Sequence, residues 1–342
     1  MRAVPAPLPT ESVLFALLTS EAGSVVHDSS KQGIIMELIH IVTAEEAGLT
    51  LHQLMRGPMA LSGRQTRNAK AQGAVTVDGS PFFSNQKVAE GMVVRIPLDG
   101  YDAPQQVHFD SAQAGIEMVY EDDALLCVCK PALLQCHPSP SAPRGSDTLE
   151  GRVQAYLGFP AHPVHRLDSE TTGLVLFAKL PYAQAHLQQQ MQAGTFSKQY
   201  EAWVLGCPDP REGEIDAPIK REHPDSFTRI VASDGQRAVS RYKTLKSVAW
   251  TDGQILSLMQ LSPVTGRTHQ LRVHMSHIGC PLLGDTRYFT SVSQVTSAHL
   301  RLTYHQLSAV SLSFLHPITG AQMNLSHEAV FSFDPDFSLI SP

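Results

Sequence analysis

Apolar positions along the chain fall into short runs separated by polar, glycine- and proline-rich breaks, and no one period runs through them all. Between residues 36 and 97 the pattern changes three times. Leu49, Leu51, Leu54 and Met55 have helical spacing, ended by Gly57-Pro58. Residues 62–72 predict a second helix stopped at Gly73. Residues 74–80 then read as a strand closed by Asp78-Gly79, and residues 93–96 as another. Further on, strands are predicted over 116–120, 125–129, 174–178, 198–205, 255–261 and 307–315. Helices are predicted over 182–191 and 268–277; on the second, Thr268 and Arg272 share a face while Leu271 and Met275 turn to the core. Strands and helices mix without a regular βαβ repeat, which predicts an α+β fold built on a largely antiparallel mixed sheet.

The 342 residues exceed one ordinary domain. The breaks divide them into an extension over 1–35, a small α/β domain over 36–100 and a larger domain over 105–342. The extension carries Pro5, Pro7 and Pro9, and only Arg2 precedes its short apolar stretch, so it reads as loosely ordered and not as a secretory signal. The longest apolar runs, such as 173–178, span a few residues where a membrane helix needs about 18, which excludes a transmembrane helix. Five cysteines, an odd number over a long chain, argue against a secreted disulfide scaffold, and the expected address is cytoplasmic.

A formal charge of −6 does not by itself suggest a polyanion as partner, but the distribution changes that picture. Arg64, Arg67 and Lys70 stand at i, i+3 and i+6, so a helix presents all three on one face, an arrangement that suits a phosphate backbone or a solvated surface. Residues 220–246 hold seven Lys/Arg against three acids, a local excess of four positive charges that fits either an RNA track or an ordinary exposed face.

No glycine-rich nucleotide loop, Gly-Lys-Ser/Thr, Cys-x-x-Cys or Gly-x-Ser-x-Gly is present. Cys127 and Cys129, near Cys136-His137, invite a zinc reading, but both lie on one face of an apolar strand where cysteine packs as a small hydrophobe. His269 and His274 lack the i, i+4 spacing of a zinc helix. An enzyme with this sequence is expected to work with side chains alone, without metal or cofactor. Two segments are dense in such groups: 165–173, reading His-Arg-Leu-Asp-Ser-Glu-Thr-Thr-Gly and entering a fully apolar strand, and 266–274, reading Gly-Arg-Thr-His-Gln-Leu-Arg-Val-His.

Together these segments resemble the RluA-type pseudouridine synthases. His165-Arg166-Leu167-Asp168 with Thr171 and Gly173 matches the catalytic loop of that family, Thr172 standing where Ser is commoner. Lys198-Gln199-Tyr200 matches its Lys-x-Tyr strand, and Arg267 to His274 with Gly284-Asp285 its third motif. Lys130-Pro131 with His137-Pro138 fits its first core strand and loop, with Leu133 replacing a customary glycine; His316-Pro317 with Thr319-Gly320 fits its C-terminal end. The matches run in order over about 200 residues. More weakly, the basic helix followed by Gly73-x-Val75-x-Val77-x-Gly79 and by Gly91-x-x-Val94 resembles the alpha-L RNA-binding domain, without that domain's usual Arg-Leu-Asp start.

The resemblance implies isomerisation of a uridine by base flipping, with no redox change and no outside group donor. Asp168 becomes the essential carboxylate, acting as nucleophile on sugar or base or as the base that starts glycal formation; the sequence leaves these routes open. Arg272 pairs with it and favours its charged form. Tyr200 stacks on the uracil, or takes the carbon 5 proton. Arg166 helps fill the gap left by the flipped nucleotide. His165, Arg267, His269 and Gln270 complete the substrate site, and Arg64, Arg67 and Lys70 bind RNA. The expected substrate is large-subunit ribosomal RNA, with transfer RNA as the alternative, and the expected state a monomer. A non-catalytic RNA-binding protein of the same fold is the competing class. A glycosidase would need a second acid across the bond, and Glu170 is too near Asp168 in sequence to serve.

Overall fold

The computed structural model describes residues 36–59, 61–71, 75–98, 111–138 and 145–333. The extension over 1–35, the helix stop at Gly73 and the junction 99–110 lie outside the described residues.

The first unit comprises β1 (Met36–Ile41), α1 (Leu51–Arg56), α2 (Gly63–Ala71), β2 (Thr76–Val77), β3 (Ser80–Pro81) and β4 (Val93–Leu98). Its antiparallel sheet has the order β1-β4-β2-β3. Thr50 caps α1 by accepting from the Gln53 backbone while the Gln53 side chain reaches back, satisfying two orphan donors of the first turn. Within the stretch that reads in sequence as one strand over 74–80, residues 76–81 form a tight hairpin, because Asp78 and Gly79 both take positive φ, 51° and 76°. β1 escaped the sequence reading, since its buried residues Leu38 and Ile39 are adjacent and do not alternate.

The second unit comprises β5 (Glu117–Glu121), β6 (Leu125–Lys130), α3 (Leu149–Leu157), β7 (His162–Pro163), β8 (Thr172–Ala178), α4 (Pro181–Ala193), β9 (Ser197–Leu205), β10 (Glu212–Asp216), β11 (Ile219–Arg221), β12 (Arg229–Val231), β13 (Val239–Ala249), β14 (Ile255–Pro263), α5 (Gln270–His277), α6 (Ser291–His299), β15 (Leu307–Leu315) and β16 (Gln322–Ser326). The main sheet runs β10-β13-β14-β9-β15-β8-β6-β5, with β16 on β15 and β7 on β8; only β15–β8 is parallel. The fold is therefore α+β with a largely antiparallel mixed sheet.

Both faces of the sheet are covered, which explains why β6 and β8 read as continuous apolar runs. Leu125, Cys127, Leu174 and Leu176 pack under Ala183 and Leu187 of α4, in a core continuous with that of the first unit. Leu126, Val128, Val175 and Phe177 face the other way, toward Leu149 and Val153 of α3 and Leu271 and Met275 of α5. The Tyr182 hydroxyl donates to the Met59 carbonyl at 3.3 Å, joining the two units.

One sequence reading needs correction and another gains detail. The helix expected from residue 268 begins at Gln270, because His269 takes a left-handed φ of 58°; Thr268 is exposed and off the helix, whereas Arg272 is buried. The cationic excess over 220–246 is partly offset in space. β10 pairs with β13 and sets Glu214 3.0 Å from Arg241 and Glu212 3.7 Å from Lys243, while Lys220 meets Asp234 at 2.8 Å. The two glutamates precede the counted window, so a linear count omits them.

The parallel contact that brings β8 against β15 depends on Gly173. Its φ is +98°, and a Cβ there would lie 2.2 Å from the Ala309 carbonyl oxygen. Gly173→Ala is expected to cost roughly 3 kcal/mol or more, from backbone strain added to overpacking; a denaturant midpoint within error of wild type would contradict this.

Candidate active site

Asp168 lies in an irregular segment, 164–171, just before β8, and that segment is held from several directions. The Lys130 ammonium, buried at the end of β6, donates to the carbonyls of Pro131, Leu134 and Ser169 at 2.7–2.8 Å. Cys136 brackets Leu167, accepting from its N–H at 3.3 Å and donating to its carbonyl at 3.4 Å. Thr171 meets His305 Nε2 at 2.8 Å, and Glu170 meets His305 Nδ1 at 2.9 Å. Burial of the Lys130 amine lowers its pKa to about 8, outweighing the attraction of Cys136 and Asp168.

Arg272 comes from α5, one turn past the left-handed His269. Its Nε and Nη2 grip both oxygens of the fully buried Asp285 at 2.7 and 2.9 Å, a bidentate fork. Its remaining Nη1 donates to Asp168 Oδ2 at 3.2 Å. The Tyr288 ring lies under the guanidinium, 5.1 Å from centroid to Cζ. Asp285 also accepts from the N–H groups of Arg287 and Tyr288. Burial would raise its pKa, but the hydrogen bonds and charge of Arg272 win and hold it at about 2.

The cleft beside Asp168 measures about 380 Å³ and is lined also by Lys198, Tyr200, Leu271 and Leu307. That size falls within the range of small-ligand sites, about 300–1,000 Å³. The Asp168 side chain is 30% exposed and reaches into it. Tyr200 sits on β9, beyond β15 from β8, so the carboxylate and the phenol approach from strands on either side of β15. Burial, and then the charge of Asp168, raises the Tyr200 pKa, so the phenol is neutral. A carboxylate oriented by a fixed guanidinium, in a cleft of mixed polar and apolar walls with an aromatic face, can act as nucleophile or base on a flat uncharged ring or its sugar.

A sequence profile of the RNA pseudouridylate synthase family matches residues 124–277. An uncharacterized RNA pseudouridine synthase of Chloroflexus aurantiacus is 34% identical over 290 residues, covering 83% of this chain and 87% of that protein. This chain belongs to the RNA pseudouridine synthases. Ribosomal large subunit pseudouridine synthase D of Zymomonas mobilis is 34% identical over 76% of this chain and 81% of its own length. The solved structure of human RNA pseudouridylate synthase domain containing 4 superposes with a TM-score of 0.50 at 25% identity, covering 63% of this chain and 88% of that one. The names of such relatives place the chain among the RluA-type enzymes, which are isomerases.

The other residues singled out in the sequence of this synthase take several positions. His165 lines the cleft but is buried, accepts from Leu176 N–H at 3.4 Å and packs edge-on against Phe196; burial, then the charge of Lys198, lowers its pKa to about 3. His269 lies 3.8 Å from Asp168 and bonds the Tyr288 hydroxyl at 2.7 Å. Burial lowers its pKa to about 4 against the pull of Asp168, so it is neutral near pH 7. Gln270 lines the cleft with a fully committed amide: its oxygen accepts from the Thr265 hydroxyl and the Arg267 N–H, and its nitrogen donates to the Val239 carbonyl and the Ser240 hydroxyl, closing the loop before α5. Arg267 is exposed and donates to the Arg237 carbonyl, and Arg166 meets His137 at 2.7 Å on the rim. Arg64, Arg67 and Lys70 are exposed on α2 and do not line the cleft.

Sequence reasoning gave no site role to Lys130, Lys198, Asp285, Tyr288 or His305. Lys198 lines the cleft from a largely buried position. Lys130, Lys198 and Asp285 carried a signal, each lying inside a matched motif. Glu170, excluded from a second-acid role by sequence distance, is turned to His305 in space.

Asp285→Asn is expected to keep the fold while loosening the guanidinium, lowering turnover about a hundredfold, as a 1 Å misplacement can; near-normal turnover would show that Arg272 needs no second anchor. Arg272→Ala leaves Asp285 buried and unpaired and is expected to destabilise by about 3–5 kcal/mol, read as a lower denaturant midpoint. Because the folded-state pKa of His165 lies below its usual 6.5, its contribution to stability is complete above pH 6.5 and is lost as pH falls toward 3. His165→Phe should therefore flatten acid unfolding across that window, as followed by circular dichroism.

Proposed function

We propose that this synthase converts one uridine of large-subunit ribosomal RNA to pseudouridine, with Asp168 as its essential carboxylate. The observation that carries the reading is the 3.2 Å contact between Asp168 and a guanidinium already fixed by Asp285, at the wall of a cleft faced by Tyr200. The ribosomal assignment is supported by the names of relatives such as the Zymomonas mobilis enzyme.

In this reading the target nucleotide leaves its stack and enters the cleft, at a cost of a few kcal/mol that is least for an unpaired site. The N1–C1′ bond breaks, the uracil turns, and C5 bonds to C1′; C5 loses its proton and N1 gains one, so no redox partner enters. Asp168 either bonds carbon during this exchange or removes the proton that opens a glycal route. Arg272 Nη1 orients one carboxylate oxygen and leaves the other for the substrate. Tyr200, held neutral, serves as a stacking face, and a role as proton acceptor would require the phenolate that its surroundings disfavour. The exposed Arg64, Arg67 and Lys70 would hold flanking phosphates, and Arg166 on the rim would take the place of the extruded base.

Asp168→Asn is expected to fold and bind RNA while making no pseudouridine; appreciable product would remove Asp168 from its assigned role. Pseudouridine mapping of total RNA from cells with and without the gene should show one large-subunit ribosomal position lost and restored by wild type alone. Loss confined to a transfer RNA would overturn the ribosomal assignment.

A further inference from the structure

On the face of the sheet opposite the cleft, three donor groups of different chemistry converge. Glu117 and Cys129 are direct partners across β5 and β6, so their side chains leave the same face. Along β6, Leu126 and Val128 join the core that contains Tyr200, and Lys130 follows their alternation toward the Asp168 segment. Cys129 follows Cys127 to the other side. His327, just after β16, is anchored by its N–H on the Val310 carbonyl and closes the group, with its Nε2 3.0 Å from Glu117 Oε1. One donor atom from each of the three residues lies within 4.8 Å of the others.

The hydrogen bonding of His327 bears on what belongs there. Its Nδ1 lies 2.8 Å from the Glu328 carbonyl, a contact that only an N–H can make favourable. In the neutral ring Nε2 then carries a lone pair aimed at a carboxylate oxygen. Two acceptors at 3.0 Å require a cation between them, either a proton or a metal ion. An Nδ1–H held by a carbonyl is also the usual support of a metal-bound histidine. A proton on Nε2 satisfies the pair in the metal-free chain, and the Cys129 sulfur beside it is a third donor that a thiophilic ion would use in the proton's place.

We propose that Glu117, Cys129 and His327 form a site for a thiophilic divalent ion of the zinc type, separate from the catalytic cleft. Tetrahedral zinc with Zn–N about 2.0 Å and Zn–S about 2.3 Å sets donors about 3.5 Å apart, within reach of side-chain rotation. Binding would expel the Cys129 thiol proton and the proton shared by His327 and Glu117, form the metal–thiolate bond and balance the dication with thiolate and carboxylate. The ion would tie β5 and β6 to the segment after β16, whose Val330 carbonyl accepts from Thr172 at the start of β8. Its role is structural, a clamp behind the segment that carries Asp168.

The test uses the full chain stripped with a chelator and titrated with Co²⁺ as a spectroscopic probe. One equivalent should bind with a thiolate-to-cobalt charge-transfer band, which Zn²⁺ then abolishes by displacement. Cys129→Ser should lose the band. Glu117→Gln and His327→Gln, which leave the buried strand untouched, should weaken binding by about tenfold or more. Cobalt bound without the band, a band that survives Cys129→Ser, or affinity unchanged in both surface variants would overturn the site.

Discussion

The guanidinium of Arg272, shared unequally between two carboxylates, is the interaction on which the arrangement rests. Burying a cation is costly unless it is paired and its donors are used. Asp285, with no exposed side-chain surface, supplies that pairing through a bidentate fork, and the Tyr288 ring covers the flat face. The Nη1 nitrogen stays free of Asp285 and donates to Asp168 at the cleft. The carboxylate facing substrate is thus oriented by a group whose own position is over-determined, which is what preorganisation requires.

The segment bearing Asp168 has matching stiffness. Lys130, Cys136 and His305 hold it from β6, from the loop after β6 and from the turn before β15, three places distant in sequence. Support for Asp285 reaches further. The Ser297 hydroxyl of α6 accepts from Gly284 N–H, and Gly284 has a φ of +77° with the Tyr304 carbonyl against the place of a Cβ. α6 has reversed polarity, burying Ser293, Thr296 and Ser297 while Val292 and Val295 are exposed. The Ser293 and Thr296 hydroxyls are satisfied by carbonyls one turn back, which allows this face to be buried without an apolar stripe.

Charge is arranged by the same logic. The protein is acidic overall, yet Arg272 is flanked by Arg229 and Arg287, whose fields help keep His269 neutral beside Asp168. Away from the cleft, Glu212 and Glu214 answer the cations of β13, so that strand presents mixed pairs. On α2 the three cations stay exposed, and Lys70 meets His52 at 3.2 Å.

The sequence by itself determined the elements whose patterns are local: the apolar strands β6, β8, β9, β14 and β15, the helix α4, and the two polar segments containing Asp168 and Arg272. Burial on both faces and strand alternation are written in consecutive residues, so they can be read without neighbours. The tertiary structure alone decided which groups meet. Asp168 and Arg272 are 104 residues apart, and Glu170 meets a histidine 135 positions away, because α5 packs on the same sheet face as β8 and the start of β15 pairs with the start of β8. It also decided the true start of α5, through a left-handed backbone at His269 that no residue preference announces, and the pairing of cations with acids on a neighbouring strand. Periodicity records what one segment buries; contact between distant segments depends on strand order, which periodicity does not carry.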